Sequence, residues 1–272
     1  MNYSSQLCKR NKYDYVICLA FDTCTMIGVH GLFGKVPLVV MHHRNIDELN
    51  SKIKRLLFSS YKNSVFHVVF EPFFKERLVQ GLAVKQNHVF VIPHPVQDKS
   101  SRQTSIMYDC VGLCNGNDEG FIREAIDRER DFSQHNLRVL LRSRKIEKKD
   151  GSVRVITGFM QKQAYDELLG SGRTVLVPLP TTYVYRLSGS IYDALSRKKY
   201  VYTTSKVYAQ DLEVRYPGVC KYFGSINQLI ESLQEDASDG TDGTDGSFGA
   251  FIADHSIETV SREIEHMVNT IR

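Results

Sequence analysis

Residues 174–203 read TVLVPLPTTYVYRLSGSIYDALSRKKYVYT. Thr174–Val177 is short, apolar and β-branched, and prolines at 178 and 180 close it, so it reads as a buried strand. Gly189–Ser196 has helical spacing after a Ser-Gly-Ser turn, and Tyr200–Thr203 is a second run of strand length. Strand, helix and strand in one stretch form a βα unit, whose strands lie parallel.

The same alternation extends outward in both directions. Toward the N-terminus, strands are expected at Tyr15–Ala20, Leu38–Met41, Val65–Phe70 and Val89–Ile92. Between them lie helices at Ile46–Tyr61 and Phe73–Leu82, the latter entered through Pro72, and a short helix or loop at Ile27–Phe33. Further strands are expected at Ile106–Leu113, Leu137–Leu141 and Val153–Ile156, with helices at Glu119–Phe132, Gln161–Leu169 and Ile226–Leu233. Pro93-His94-Pro95 forbids regular structure, and the polar run Gln97–Thr104 follows. A boundary there gives a first domain over residues 1–96 and a second over 97–238. The fold class is α/β, with two Rossmann-like parallel-sheet domains joined by right-handed crossovers.

Past residue 238 the tract Asp239-Gly-Thr-Asp-Gly-Thr-Asp-Gly246 repeats small and acidic residues. An EF-hand would need a glutamate at its twelfth position, which is missing here, so residues 239–255 read as a flexible linker. Ser256–Arg272 follows as an amphipathic helix, with Ser256 as its N-cap and Ile257, Val260, Ile264, Met267, Val268 and Ile271 on one stripe.

Composition narrows the function classes. The 272 residues hold 35 Lys and Arg against 31 Asp and Glu, a formal charge of +4, with 42% hydrophobic and 24% charged residues. Such a balance fits a globular protein and argues against a dedicated nucleic-acid binder. No apolar run approaches the roughly 20 residues of a membrane span. Cys8, Cys18, Cys24, Cys110, Cys114 and Cys220 show no metal-binding C-x-x-C spacing, so a reduced, cytoplasmic setting is expected. Lys9, Arg10 and Lys12 precede an apolar stretch, yet Asp14 and Asp22 interrupt it without a cleavage pattern, and no targeting segment is expected.

Ligands of open parallel sheets bind beyond the carboxyl ends of the strands. The richest such segment is 178–193. Ser188, Gly189 and Ser190 open a helix whose first-turn amides suit an anion, Arg186 offers a fork for phosphate oxygens, and Asp193 suits the vicinal hydroxyls of a ribose. The plain alternative is ordinary capping at Ser188 and a surface pair between Arg186 and Asp193. His42 and His43 end a strand, either as structural histidines or as imidazoles beside a substrate. Glu71 is a carboxylate facing the cleft, or a cap of the helix that follows it. No G-x-G-x-x-G and no Walker motif is present.

These residues resemble the GT-B glycosyltransferases, in particular the bacterial capsule and exopolysaccharide type and the large retaining group. The likeness is carried by Val175–Pro180, Arg186-Leu-Ser-Gly-Ser-Ile-Tyr-Asp193 and Tyr200-Val-Tyr, by the interdomain-like Val89–Val96, and by Val155-Ile-Thr-Gly158-Phe159 with Ala164-Tyr165. It implies two domains facing across a cleft, with the terminal helix crossing back to the first. It implies a nucleotide-sugar site made of Gly158, Phe159, Met160, Arg186, Ser188, Gly189, Ser190 and Asp193, with the Phe159 and Met160 backbone at the base. His42 and His43 would lie near the transferred sugar, and His42, His43 and Arg186 would be the catalytic side chains. Tyr185 stands where the group places its first carboxylate, and the N-terminal domain is shorter than the group's.

The expectation is a metal-independent hexosyltransferase of polysaccharide biosynthesis, with no cofactor beyond a nucleoside-diphosphate sugar as donor substrate. Its acceptor is a saccharide or a lipid-linked one, its membrane contact is at most peripheral at the inner face, and either a companion chain completes the first domain or that domain is a reduced one. Lipid headgroups could meet the basic stretch Arg142-Ser-Arg144-Lys145. The alternatives are a non-catalytic transferase-like subunit that binds nucleotide or a partner chain, and an epimerase or hydrolase of the same fold.

Overall fold

The computed structural model describes residues 13–99, 105–238 and 244–271, without the side chains of 236–238. The Lys9–Lys12 stretch, the end of the polar run at 100–104, residues 239–243 of the expected linker and Arg272 lie outside this set. The described residues divide into two compact units. One holds the residues up to Pro95, Tyr185–Leu187 and those from Asp254 on; the other holds Val96–Val184 and Ser188–Ala253.

The first unit is built on four parallel strands, β1 (Val16–Cys18), β2 (Leu38–Met41), β3 (Phe66–Val69) and β4 (Val89–Val91), in the order β1-β2-β3-β4. Leu38, Val39 and Val40 are all buried, as expected of a parallel strand covered on both faces. Val39, Val68, Phe90 and Ile92 form a core that is closed by Met267 and Ile271 of the terminal helix Ile257–Ile271. The single helix expected over Ile46–Tyr61 is two, Asn45–Glu48 and Lys52–Tyr61. Asn50 and Ser51 intervene, residue types that compete for backbone hydrogen bonds, and Ser51 is extended at φ −67°, ψ 126°. Glu71 does not cap its helix through the side chain; it is buried at 1% exposure.

The second unit has six parallel strands: β5 (Tyr108–Gly112), β6 (Val139–Arg142), β7 (Val153–Ile156), β8 (Gly172–Val177), β9 (Val201–Thr203) and β10 (Cys220–Tyr222). Their order is β10-β9-β8-β5-β6-β7, so the chain moves outward from β5 through β6 to β7, then returns to the other side of β5 with β8. Two elements escaped the sequence reading: the helix Lys206–Arg215 and β10, whose three residues carry no alternation and are held by pairing Cys220 with Val201. The helix expected at Glu119–Phe132 breaks at Arg128, whose Nε donates to Asp131 at 2.8 Å.

The expected linker is corrected over most of its length, because Asp245–Asp254 is helical. Phe248 and Phe251, one turn apart, supply the apolar face that the Gly-Asp repeat lacks, and both are buried. Phe251 packs edge-on against Tyr192 and Tyr216, with centroids at 5.6 and 5.4 Å. Phe251→Ala should therefore cost the second unit about 3–5 kcal/mol in urea unfolding, the usual loss for a buried aromatic, whereas a position on a loose linker would lose none.

Candidate functional site

Parallel pairing puts all six carboxyl ends of the second sheet on one edge, and the strand order reverses between β5 and β8. Such a switch point opens a crevice between the two outgoing loops. After β5, Asn117 is buried and its Nδ2 donates to the carbonyls of Gly112 (2.8 Å) and Arg142 (3.0 Å), tying the ends of β5 and β6; its Oδ1 accepts no hydrogen bond. After β8, the Thr203 and Thr204 hydroxyls donate to the carbonyls of Val177 and Leu179, each at 2.9 Å, and pin the start of the loop.

That loop ends at the helix Gly189–Leu195. Ser188 is extended at its N-cap position, but its hydroxyl makes no capping bond and is buried without a hydrogen-bond partner among the described residues. Its N–H donates to the Tyr208 hydroxyl at 3.2 Å. The Gly189 and Ser190 amides have no protein acceptor among the described residues, and a Cβ at Gly189 would meet nothing within 4 Å. The turn therefore combines free N–H groups, open space and an unused hydroxyl, the donor set that an anion needs.

Asp193 sits one turn further in and is already engaged. Lys99 Nζ lies 2.5 Å from its Oδ1 and Arg197 Nε 3.8 Å, and Lys99 N–H donates to the Ser196 carbonyl. Tyr165 also bonds this carboxylate, and its phenol is held protonated by burial and then by the Asp193 charge. The other loop the sequence singled out follows β7, three strands away on the same edge. Gly158 there takes φ +86°, its carbonyl accepts from Arg142 Nη2 at 2.7 Å, Phe159 is 92% exposed and Met160 is half-buried.

The remaining expected residues belong to the first unit. Arg186 donates through Nε to Asp47 Oδ2 at 3.0 Å, and the Tyr185 N–H donates to Asp47 Oδ1 at 2.8 Å. Tyr185 packs near Phe73 and Phe74, with the Arg77 guanidinium 5.5 Å from its ring centre. The Arg186 guanidinium, expected at phosphate or in a surface pair with Asp193, pairs here with an almost fully buried carboxylate. Asp47 and Lys99 were missed because their partners lie 139 and 94 positions away, and no local pattern announces such pairs.

His42 does not face a substrate. It is 1% exposed, with rings of Phe21 and Phe58 edge-on beside it. His67 Nε2 lies 2.7 Å from the Lys62 carbonyl, which can only accept, so His67 Nδ1 is left to accept from His42 Nε2 at 2.9 Å. Both rings are neutral, with His42 lowered well below the ordinary histidine value by burial and then by His67, and His67 brought down by burial to about 4. His43 is the exposed member of the pair, 5.0 Å from the Phe70 ring. Among the described residues no three His, Cys, Asp or Glu side chains gather to hold a metal ion, and no helix is long and apolar enough to cross a membrane.

The His42–His67 pair should make the first unit acid-sensitive. His67 takes up a proton near pH 6.5 when unfolded but near 4 when folded, so stability is full above about 6.5 and falls as pH drops toward 4. Urea unfolding should show a loss of about 2 kcal/mol from His67 alone between pH 7.5 and pH 5. His67→Gln, which keeps a donor for the Lys62 carbonyl but does not titrate, should flatten that slope.

No protein-family model and no curated protein matches the sequence. Solved structures do match in fold. TarM aligns over 98% of this chain and 57% of its own, at 16% identity and a TM-score of 0.66. The GtfA/B complex aligns over 99% and 59%, at 14% identity and 0.71. HepE from Anabaena, solved with UDP-glucose, aligns over 98% and 81%, at 13% identity and 0.66. The chain thus spans less than three fifths of the first two, at 57% and 59%. With its four-stranded and six-stranded parallel sheets, this chain has the GT-B fold.

Proposed function

We propose that the chain acts in a glycosyltransferase that moves a hexosyl group from a nucleoside-diphosphate sugar to a saccharide or lipid-linked acceptor in polysaccharide biosynthesis, capsule included. The observation that carries this reading is the open turn Ser188–Ser190 at the switch point, with two free amides and a buried, unused hydroxyl. The diphosphate receives the Gly189 and Ser190 N–H groups and the Ser188 hydroxyl, fixed donors that take up leaving-group charge without a metal. The base lies across Gly158, Phe159 and Met160. Three strand spacings, about 14 Å, separate that loop from the turn, a distance a nucleoside diphosphate can span. HepE, solved with UDP-glucose on the same fold, supports a donor of this class.

In this scheme Asp193 holds the ribose by releasing Lys99, Arg186 reaches the diphosphate only by leaving Asp47, and His43 rather than His42 is the imidazole available to the sugar. No cofactor takes part, and the enzyme is cytoplasmic, meeting the membrane peripherally. A companion chain docks beside β1, which lies at the edge among the described strands and whose Ile17 and following Leu19 are 41% and 65% exposed.

A second reading, a transferase-like subunit without turnover, is favoured by one feature: Arg186 and Asp193 already hold opposite charges from their own chain. A panel of nucleotide sugars, with and without acceptor saccharides, separates the two. The first reading expects donor consumption that needs an acceptor. Protection by UDP in thermal unfolding without consumption of any donor would leave the subunit reading. Arg186→Ala should destabilise the protein without UDP by about 2 kcal/mol, because buried Asp47 loses one charge-assisted hydrogen bond. It should also weaken UDP by ~1.5–3 kcal/mol if the guanidinium moves to the diphosphate; unchanged UDP affinity in calorimetry would remove it from the site.

A further inference from the structure

The helix Lys52–Tyr61 of the first unit presents an outer face that the scheme above does not use. Its inner face is Phe58 and Tyr61, at 1% and 0% exposure. At about 100° per residue, Leu56 points roughly opposite that face, with Ile53 and Ser60 on one flank and Lys52, Ser59 and Arg55 on the other. Leu56 is 73% and Ile53 71% exposed, two large aliphatics one turn apart in open solvent.

The charges around them carry one sign. Lys52 and Arg55 are exposed and pair with no carboxylate among the described residues, Arg55 using only its Nε on the Leu49 carbonyl. Lys54 is the exception, lying inward and bound to Glu48 at 2.8 Å. The helix itself contains no acidic residue. Arg44, just before the preceding short helix and 73% exposed, adds a cation that touches Glu48 only at 3.8 Å.

We propose that this face is an interfacial anchor for an anionic membrane surface, with Leu56 and Ile53 entering the headgroup boundary and Lys52 and Arg55 meeting lipid phosphates. Aliphatics flanked by long cations suit such a surface, since the cations keep their charge among the headgroups while the aliphatics leave water. A protein partner fits less well: interface cores are depleted in lysine, and burial there would strand both cations. The basic stretch after β6 is a poorer anchor, since Arg142 holds the Gly158 carbonyl and no exposed large aliphatic stands among its cations, Ile146 being packed on the core. The anchor rests on the peripheral membrane contact proposed above and gives it a place, but it does not depend on the donor chemistry, so the two stand or fall separately.

Sedimentation with vesicles of phosphatidylcholine, alone or with a quarter phosphatidylglycerol, tests it. The protein should bind the anionic vesicles at least about tenfold more tightly and lose this preference at high salt. Ile53→Asp with Leu56→Asp should reduce binding about tenfold or more, and Lys52→Glu with Arg55→Glu should abolish the preference for anionic lipid while the apolar pair remains. Far-UV circular dichroism checks that each variant is folded, and UDP protection in thermal unfolding reports separately on the donor site. Wild-type protein that ignores anionic vesicles, or a folded Ile53→Asp, Leu56→Asp variant that binds them undiminished, overturns the proposal. So does a change in the oligomeric state of that variant in protein that never binds vesicles, which would mark the face as a protein interface.

Discussion

The second unit depends on β5 pairing on both sides, with β6 along one edge and β8 along the other. This double pairing reverses the strand order and so opens the crevice where Ser188–Ser190 and Asn117 lie. It demands a close approach: a Cβ at Gly172 would sit 2.5 Å from Val111 Cγ2, so the residue that begins β8 must lack a side chain. Parallel pairing then fixes the direction of every strand, and the loops bearing the candidate residues gather on one edge for that reason alone. The first unit, whose described strands run in sequence order, has no reversal and therefore no crevice of this origin.

Charge is spent sparingly around that crevice. Asp193 is answered there by Lys99, Arg197 and the Tyr165 hydroxyl; in the first unit, separately, Arg186 is answered by Asp47. A carboxylate as enclosed as Asp47 needs a cation and a donor, and it takes both from the adjacent residues Tyr185 and Arg186. In the proposed scheme a ligand at Asp193 or at Arg186 must displace these internal partners, so binding would be an exchange of partners rather than the filling of idle groups. The neutral amides of Gly189 and Ser190 are exempt from that competition, which is why the turn, more than the charged side chains, carries the functional reading.

Much of the architecture was legible because the signals are local. Leu38–Met41 and Val153–Ile156 occupy the predicted residues, and the other predicted strands differ mainly at their ends, where apolar residues continue past the last ladder bond. The errors have local causes too. Asn50 and Ser51 break a helix that periodicity carried through, β10 is too short to show a pattern, and the helix after the Gly-Asp repeat rests on only two buried aromatics, Phe248 and Phe251, too few for a periodic signal.

By itself, then, the sequence determined the βα alternation and offered the Ser-Gly-Ser turn as an anion-binding candidate, because hydrophobic period and glycine act within a few residues of themselves. Only the tertiary structure decided that His42 is locked inside against His67 while His43 is exposed, that Arg186 belongs to Asp47, and that Lys99 sits on Asp193. Those outcomes turn on burial and on charges meeting across about a hundred residues or more of chain, or, for adjacent histidines, on which face of a strand is covered. None of these leaves a mark on the neighbouring sequence.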